Sequence, residues 1–386
     1  MIKVVISDGN GTLQLPNPSD EMKNLIVQLL SKGVKIAVAS NSNKTSIKQR
    51  FKKAGLPEPC IIVTPEDLGN KKKPAPDFIY KVRDTAQVKL NEIVYIGDDD
   101  RTDILCAINA RILPIAAVYS PSKKSLNYGL PFDKVEDLQD YLFTFGMQGN
   151  YFGWIYSSSS TDVRALIGDH TGLTETLKKV LKEQKDIEIG STRKISVRNL
   201  LFLYLITQCY LSGLIINIDW ITIYPGHSQN SLNSTLHQYS ESITRIFREK
   251  FVPDLILRHK DAPESKFQGK KRNIFDQFMT IKINSKYQKK IQGKSILVLD
   301  DFTTSGYSLE TARCMLLKAG AQSVTCLAIA KFRRTYSMAN VRKNWNPFEP
   351  CFLDKKDITV SNVIGQSNDL ADRYFKKQIW NFYATR

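Results

Sequence analysis

The sequence has few of the features that mark secreted or metal-stabilised domains. It contains six cysteines in 386 residues, and no two of them form a CxxC pair. This spacing argues against zinc ribbons and disulfide frameworks, while scattered free cysteines are typical of a reducing cytosol. A chain of this length with 42% hydrophobic residues has enough apolar material for two folded domains. We therefore expect a cytoplasmic protein with two hydrophobic cores.

Long uncharged apolar runs are also missing. The N-terminus lacks a basic segment followed by a longer apolar stretch, so it does not predict a signal peptide. The most apolar window, residues 200–218, is interrupted by polar residues such as Thr207, Gln208 and Asn217. We interpret this window as a buried helix followed by a turn, with a membrane span as the less favoured alternative. No membrane partner is expected.

Acidic residues are scarce in the second part of the chain. Residues 1–150 contain 20 Lys and Arg against 17 Asp and Glu, a net charge of +3. Residues 151–386 contain 35 against 21, a net charge of +14. Such an excess attracts phosphate-rich ligands, either small molecules or nucleic acid. A well-solvated basic surface explains the same excess, and the composition leaves an oligomer open.

Short apolar runs alternate with helical patterns in the first part of the chain. Strands are predicted at 3–7, 35–40, 61–64, 93–96 and 115–118, and helices at 20–32, 44–54, 76–85, 103–110 and 135–143. This alternation indicates a parallel sheet with helices on both faces. We assign residues 1–146 to a first domain, because the pattern lapses near Gly146 and Gly149.

A second α/β domain is predicted for residues 151–386, with its core at about 218–335. Its helices are predicted at 173–182, 196–211, 232–247 and 308–319, and its strands at 220–224, 254–257, 295–299 and 323–330. The expected fold class is therefore α/β with two doubly wound domains. The basic, aromatic tail at 331–386 has no predicted role.

Polar residues end consecutive strands of the first domain. They are Asp8 in a glycine-rich turn, Ser40, Lys73 in a Lys-Pro-Ala-Pro sequence, and the acids Asp98, Asp99 and Asp103. Open α/β sheets bind ligands at the carboxyl ends of their strands. A carboxylate in such a turn can serve as nucleophile and metal ligand, and clustered acids supply the oxygen ligands that Mg²⁺ prefers.

This ordered set of four motifs resembles the haloacid dehalogenase superfamily over about 140 residues. The resemblance implies that Asp8 attacks a phosphoryl group and that Ser40 and Lys73 hold the phosphoryl oxygens. It also implies a Mg²⁺ bound by Asp8, the backbone carbonyl of Asn10, and Asp98 with Asp99 or Asp103. The intervals between Leu13, Ser40 and Lys73 are too short for a cap domain, so we expect an open site.

Asn10 departs from the family pattern. Phosphatases of this superfamily usually carry an aspartate two residues after the nucleophile, where it protonates the leaving oxygen and later activates water. An asparagine amide cannot exchange a proton at neutral pH. Three alternatives remain: a slow phosphatase, an enzyme for substrates with a good leaving group, or a domain that only binds phosphates.

The second domain carries an acidic pair followed by a loop rich in hydroxyl groups. The sequence runs from a strand through Asp300 and Asp301 to the loop residues Thr303, Thr304, Ser305, Gly306, Tyr307 and Ser308, where a helix begins. Loop N–H groups and a helix N-terminus together favour anions. Two adjacent buried carboxylates are costly without a ligand, which argues against a purely capping role.

This stretch resembles the phosphoribosyl pyrophosphate (PRPP) motif of type I phosphoribosyltransferases, with a layout similar to ComF-like members. The resemblance implies that Asp300 and Asp301 bind the ribose hydroxyls and that residues 303–308 bind the 5′-phosphate. Pyrophosphate would be held, with Mg²⁺, by a predicted set of loop residues: Gly226, His227, Ser228, Arg258 and Arg272, the two arginines lying on mobile loops.

The two resemblances together predict a bifunctional enzyme of nucleotide metabolism. Phosphoribosyl transfer yields a 5′-phosphomonoester, which a phosphatase of the first family hydrolyses. Paired domains of these families are similar to those encoded in bacterial stress-response and phage-defence clusters. The alternative is a PRPP or nucleotide sensor, or a nucleic-acid-binding effector, in which one or both sites are catalytically weak.

Overall fold

The computed structural model describes residues 1–149, 151–168, 174–175, 177–178, 186–188, 194–229, 234–248, 250–262 and 273–384. The described chain divides into two compact units. The first unit contains Met1–Gly149 together with two later segments, Cys209–Ile216 and Arg245–Arg248. The second contains Asn150–Gln208, Asn217–Thr244 and Glu249–Arg386.

The first unit is built on a six-stranded parallel sheet. Its strands are β1 (Val4–Ser7), β2 (Lys35–Ala39), β3 (Ile61–Val63), β4 (Ile93–Gly97), β5 (Leu113–Ala117) and β6 (Leu130–Phe132). The strand order is β3-β2-β1-β4-β5-β6, and every neighbouring pair is parallel. The helices are α1 (Asp20–Ser31), α2 (Lys44–Ala54), α3 (Asp77–Ala86), α4 (Leu105–Asn109) and α5 (Val135–Tyr141). The strand–helix alternation predicted for this region is present.

Local sequence explains why these elements form. Every residue of β1 and β4 is buried, as expected for central parallel strands that carry Val and Ile. The Ser19 hydroxyl caps α1 by accepting from the Met22 N–H, and the Asn43 side chain caps α2 by accepting from Ser46. Gly55 ends α2 in the left-handed conformation.

The strand order places a switch point between β1 and β4. From β1 the chain proceeds outward through β2 and β3, and it later returns to β4 and proceeds through β5 and β6 in the opposite direction. Loops leaving the carboxyl ends of β1 and β4 therefore diverge and leave a crevice. Asp8 and Asp98 follow these two strands directly.

The second unit contains a seven-stranded mixed sheet. Its strands are β7 (Trp154–Ser157), β8 (Asp162–Ile167), β11 (Trp220–Ile223), β12 (Lys250–Phe251), β15 (Ser295–Thr303), β16 (Ser323–Lys331) and β19 (Gln366–Ser367). The order is β12-β11-β15-β16-β8-β7-β19; the first five strands are parallel, and β7 and β19 are antiparallel to their neighbours. The described helices are α6 (Val197–Leu211), α7 (Ser234–Phe247), α8 (Ile274–Phe278), α9 (Tyr307–Lys318) and α10 (Asp369–Ala384).

Three two-stranded sheets complete the described strands. They are β9 (Asp186–Glu188) with β10 (Lys194–Ser196), β13 (Ile256–Arg258) with β14 (Ile281–Ile283), and β17 (Thr335–Val341) with β18 (Ile358–Ile364). The strand predicted at 254–257 therefore starts two residues later and lies outside the main sheet. The predicted helix at 173–182 falls largely outside the described residues, as does Arg272.

The core of the second unit lies between α9 and the main sheet. Leu309, Ala312, Met315 and Leu316 of α9 are buried against strand residues that include Val298. This packing fixes the helix that follows the predicted phosphate loop. Among the described residues, no helix combines the length and the apolar composition that a membrane crossing requires.

Candidate active sites

Asp8 lies at the switch point of the first unit and is paired with a buried lysine. The Lys73 ammonium donates to Asp8 Oδ1 at 2.7 Å, to Asp103 Oδ1 at 2.5 Å and to the Tyr95 hydroxyl at 3.2 Å. The Lys73 side chain is 3% exposed and that of Asp8 17% exposed. Asp8 is thus the member of this group that an incoming ligand can reach most easily.

The electrostatics of this group follow from its burial. Burial lowers the pKa of Lys73, but the carboxylates of Asp103 and Asp8 outweigh burial and hold the pKa above its ordinary value. Burial raises the pKa of Asp103 to about 6, although Lys73 acts in the opposite direction. Lys73 is therefore a fixed positive charge beside Asp8 and not a proton donor at neutral pH.

Three of the predicted acids converge. Carboxylate oxygens of Asp8, Asp98 and Asp103 all lie within 4.8 Å of one another. Asp8 and Asp98 directly follow two neighbouring strands, and Asp103 lies in the turn after the second strand. Together they provide the hard oxygen donors that a divalent cation such as Mg²⁺ requires. The donor set therefore fits a divalent metal, and these three residues would hold it.

Asp98 is oriented by two serines from the loop after β5. Asp98 Oδ2 accepts from the Ser120 hydroxyl at 2.8 Å and from the Ser122 hydroxyl at 2.6 Å. Gly11 makes this approach sterically feasible, because a Cβ at that position would lie 1.6 Å from Ser122 Oγ and 2.3 Å from Asp98 Oδ2. The glycine-rich turn after Asp8 is therefore required for the geometry of the acid cluster.

Asp103 reaches the cluster from a π-helical turn, Asp100–Ile104, that leads into α4. Its Oδ2 accepts from the Asp98 N–H at 3.3 Å. A Cβ on Gly97 would lie 2.2 Å from Asp103 Cβ, so the chain requires glycine at the end of β4. Such single wide turns inside helices are frequent at functional sites.

Asp99 lies outside the three-acid cluster. One of its oxygens accepts from the Arg101 N–H at 2.9 Å, and the other accepts from the Lys124 ammonium at 2.7 Å. Its carboxylate therefore caps the π-helical turn. Of the two alternatives that the sequence left open beside Asp98, the geometry favours Asp103.

Ser40 and Asn10 both lie near the Asp8 turn, but they differ in burial. Ser40 is 3% exposed, follows β2, and lies close to the turn, since a Cβ on Gly9 would be 3.6 Å from Ser40 Cβ. Asn10 is exposed. Its backbone carbonyl accepts from the Leu15 N–H at 3.0 Å, and a carbonyl oxygen has a second lone pair for a metal.

Four partners of the site were not among the sequence predictions. Ser120 and Ser122 bind Asp98, Tyr95 binds Lys73, and the Asn41 side chain accepts from the Lys73 N–H at 3.0 Å. The serines follow β5, so their position after a parallel strand was a usable signal. Tyr95 lies inside β4 and had no such signal.

Residues 2–117 match the family model of haloacid dehalogenase-like hydrolases. The N-terminal region is a haloacid dehalogenase-like hydrolase domain. The match covers β1 to β5, and thus Asp8, Ser40, Lys73 and the three-acid cluster. We refer to the first unit below as the hydrolase unit.

Solved structures similar to this chain include three bacterial proteins. An uncharacterized protein from Listeria monocytogenes serotype 4b is 18% identical, and the alignment covers 37% of this chain and 97% of that chain with a TM-score of 0.32. A HAD-superfamily hydrolase from Ehrlichia chaffeensis is 24% identical, with 32% of this chain and 57% of that chain covered and a TM-score of 0.27. The cobalt-bound deoxy-D-mannose-octulosonate 8-phosphate phosphatase from Haemophilus influenzae is 17% identical, with 37% of this chain and 87% of that chain covered and a TM-score of 0.26. This chain spans little more than half of the Ehrlichia protein. No curated protein matches the sequence.

In the second unit, the acidic pair lies within a strand. Strand β15 extends to Thr303, four residues beyond the predicted end at 299, because it pairs with β16 as far as Lys331. Asp300 and Asp301 are both half-buried. Burial, and next the neighbouring carboxylate of Asp301, raise the pKa of Asp300 well above its usual range. Such a carboxyl is stabilised when a cation or hydrogen-bond donor binds it.

The predicted phosphate loop remains accessible. Thr304 is exposed, and Ser305, Tyr307 and Ser308 are half-buried. Thr303 and Gly306 are buried, and Gly306 takes a left-handed conformation at φ +83° at the start of α9. The loop and the first turn of α9 therefore expose polar groups at one end of the parallel strands.

Arg258 and the predicted pyrophosphate loop occupy different environments. Arg258 ends strand β13 and is 7% exposed, so it does not lie on a mobile loop as predicted. Its guanidinium donates to the Gly226 and Pro225 carbonyls and to the Thr280 hydroxyl. His227 and Ser228 are exposed. Arg258 therefore supports the backbone of the loop that carries these residues.

Proposed function

We propose that this chain is a bifunctional enzyme of nucleotide metabolism. In this proposal the hydrolase unit cleaves phosphomonoesters, and the second unit transfers a phosphoribosyl group from PRPP. The observation that supports the first activity best is the convergence of Asp8, Asp98 and Asp103 at the switch point of a parallel sheet, where Asp8 and Asp103 also pair with the Lys73 ammonium.

In the proposed hydrolysis, an Asp8 oxygen attacks phosphorus and the ester oxygen leaves, which produces an aspartyl-phosphate. All three N–H groups of the Lys73 ammonium bind protein oxygens, one of them on Asp8. When a phosphoryl group is bound, one of its oxygens would accept the hydrogen bond that Lys73 otherwise donates to Asp8. A divalent cation would offset the repulsion between the two anions. In this proposal Ser40, which is buried close to the Asp8 turn, would hold a phosphoryl oxygen.

The test is a phosphate-release assay with a panel of phosphomonoesters, including aryl phosphates and nucleoside 5′-monophosphates, in Mg²⁺. We expect hydrolysis that is lost in Asp8→Asn and abolished by chelation. Asp84→Asn is the matched control, because Asp84 is an exposed carboxylate that pairs with the neighbouring Arg83. Activity that survives Asp8→Asn would show that Asp8 is not the nucleophile.

The proposal for the second unit is supported by a different observation. A parallel strand brings Asp300 and Asp301 to an accessible loop and the N-terminus of a twelve-residue helix. Carboxylates can hold ribose hydroxyls directly or through a cation, and the loop can hold a phosphate. Transfer passes through an oxocarbenium-like state, so groups that stabilise departing pyrophosphate would carry much of the rate acceleration.

Pyrophosphate release from PRPP in the presence of a cell metabolite extract tests the transferase. We expect release that depends on the acceptor pool and is lost in Asp301→Asn. Release that is unaffected by Asp301→Asn would contradict the assignment of the site.

The net charge of +14 on residues 151–386 favours a second candidate, a nucleic-acid-binding effector. Its signature is binding to RNA or DNA whose affinity falls steeply with salt, without consumption of PRPP. Measurement of both properties on the same preparation separates the two candidates.

A further inference from the structure

Three consecutive carbonyls of the phosphate loop face one short segment of the chain. The Thr303 carbonyl accepts from the Phe332 N–H at 3.0 Å, the Thr304 carbonyl from the Lys331 ammonium at 2.7 Å, and the Ser305 carbonyl from the Ser337 N–H at 2.9 Å. All three donors belong to residues 331–337, which run from the last residue of β16 through the connecting turn into β17.

This arrangement fixes the direction of the loop N–H groups. A trans peptide is planar, so the N–H that follows each carbonyl points the opposite way. The N–H groups of Thr304, Ser305 and Gly306 therefore face away from residues 331–337. Within the described part of the chain, none of these three groups donates a hydrogen bond. Consecutive N–H groups that point in a common direction form a concave site for an anion.

Lys331 differs from the other two donors because it is a buried charge. The residue is 0% exposed. Its ammonium also donates to the Thr335 carbonyl at 2.8 Å and lies 4.7 Å from the centre of the Trp154 ring. Burial of an ammonium is costly unless partners satisfy it, and here two carbonyls and an aromatic face do so. Because protein rather than water lies between this ammonium and the loop, its attraction for an anion at the loop is weakened less than it would be in water.

We propose that Lys331 is a positioning residue for phosphate binding at residues 304–306. Lys331 holds the Thr304 carbonyl, the middle one of the three, inward. This turns the Ser305 N–H outward, and the ammonium adds a buried positive charge beneath the loop. The ligand class is a phosphate monoester such as the 5′-phosphate of a ribose. The identity of that ligand rests on the proposed transferase function, whereas the positioning role concerns phosphate binding alone.

The experiment uses the full chain carrying Asp8→Asn, which removes turnover at the hydrolase unit, and measures ribose 5-phosphate binding by calorimetry. We expect Lys331→Met to weaken binding at least tenfold, as loss of a charged hydrogen bond typically does, on the order of a ten- to hundredfold change. Lys331→Arg keeps the charge and the donors and should recover most of the affinity. Lys318→Met, which removes an exposed lysine bound to Asn344 in the same unit, should leave affinity within about twofold.

Hydrogen exchange distinguishes positioning from a general loss of structure. In the parent chain, ribose 5-phosphate should slow exchange of the amides at 304–306, and in Lys331→Met this protection should disappear while the amides of the buried strand β11 keep theirs. If Lys331→Met does not fold, Lys331→Gln replaces it with the same expectation. Unchanged affinity, or unchanged loop protection, in a folded variant overturns the proposal.

The two proposals fail in different ways. Ribose 5-phosphate binding that depends on Lys331, without PRPP consumption, contradicts the transferase and leaves the positioning role intact. Absence of ribose 5-phosphate binding in the parent chain contradicts the positioning role and does not affect the hydrolase.

Discussion

In the proposed hydrolysis, Asn10 would limit proton transfer to the leaving group. It is exposed two positions after Asp8, and its amide can donate a hydrogen bond but cannot transfer a proton at neutral pH. Residue 10 therefore cannot supply a proton to the leaving oxygen. Substrates whose leaving group is already a stable anion should react faster than alkyl phosphates.

Replacement of Asn10 by aspartate should raise the rate on alkyl phosphates. General acid–base help typically contributes about 10²–10⁴-fold, and a carboxyl placed here by mutation should recover at least about tenfold in kcat. The gain should be much smaller for p-nitrophenyl phosphate, because its leaving group needs no proton. An equal change for both substrates would show that residue 10 does not act on the leaving oxygen.

Lys73 should matter for stability as well as for activity. Lys73→Met leaves two carboxylates, those of Asp8 and the 2% exposed Asp103, without their shared cation. Removal of one partner from a buried ion pair costs about 3–5 kcal/mol of the free energy of unfolding. Urea denaturation at neutral pH without divalent cations measures this difference.

Lys44→Met is the matched control for that measurement. Lys44 also pairs with an aspartate, Asp67, but its side chain is 42% exposed. Exposed pairs contribute about 0–1 kcal/mol, so this variant should be close to wild type. Equal losses in the two variants would contradict the structural role of Lys73.

At the residue scale, the sequence predicted Asp8 and Asp98 because each directly follows a strand, and Lys73 because it begins a Lys-Pro-Ala-Pro sequence. It could not choose between Asp99 and Asp103. That choice depends on how the π-helical turn rotates the side chains after β4, and periodicity carries no information on it.

At the scale of elements, the turn after β1 and the loop after β5 must approach closely. Gly11 permits this approach, since any Cβ there would overlap Ser122 and Asp98. Gly11→Ala should therefore displace the Ser122 loop and lower phosphate release at least tenfold. Gly149→Ala is the control, because nothing lies within 4 Å of its Cβ position. A fully active, stable Gly11→Ala protein would contradict this account of the turn.

Elements with simple patterning were predicted, and elements that depend on distant partners were not. The all-buried β1 and β4 and the capped α1 and α2 follow from local sequence. Strand β15 was predicted to end at residue 299, before Asp300, yet pairing with β16 carries it to Thr303.

The β17–β18 pair had no usable signal in the sequence. Strand β18 carries the exposed Val360 and Ile364, and in neither strand do buried and exposed positions alternate regularly. The pair is anchored through Tyr336, whose hydroxyl donates to the buried Glu310 of α9 at 2.9 Å. Only tertiary structure reveals that anchor.

At the scale of the whole molecule, two units carry two separate predicted sites. Asp8→Asn should abolish phosphate release from phosphomonoesters and leave PRPP consumption unchanged. Asp301→Asn should abolish PRPP consumption and leave phosphate release from phosphomonoesters unchanged. Assays of both variants with both substrates check this expectation, and loss of both activities in either variant, with the fold retained by circular dichroism, would contradict two independent sites.

In the proposed hydrolysis, Asp8 accepts the phosphoryl group. Acid quenching during turnover of p-nitrophenyl phosphate, followed by mass spectrometry of the N-terminal peptide, tests it most directly. We expect a peptide heavier by one phosphoryl group, with the group on Asp8 and absent from Asp8→Asn. Steady turnover with no label on Asp8, or with label on another residue, would contradict it.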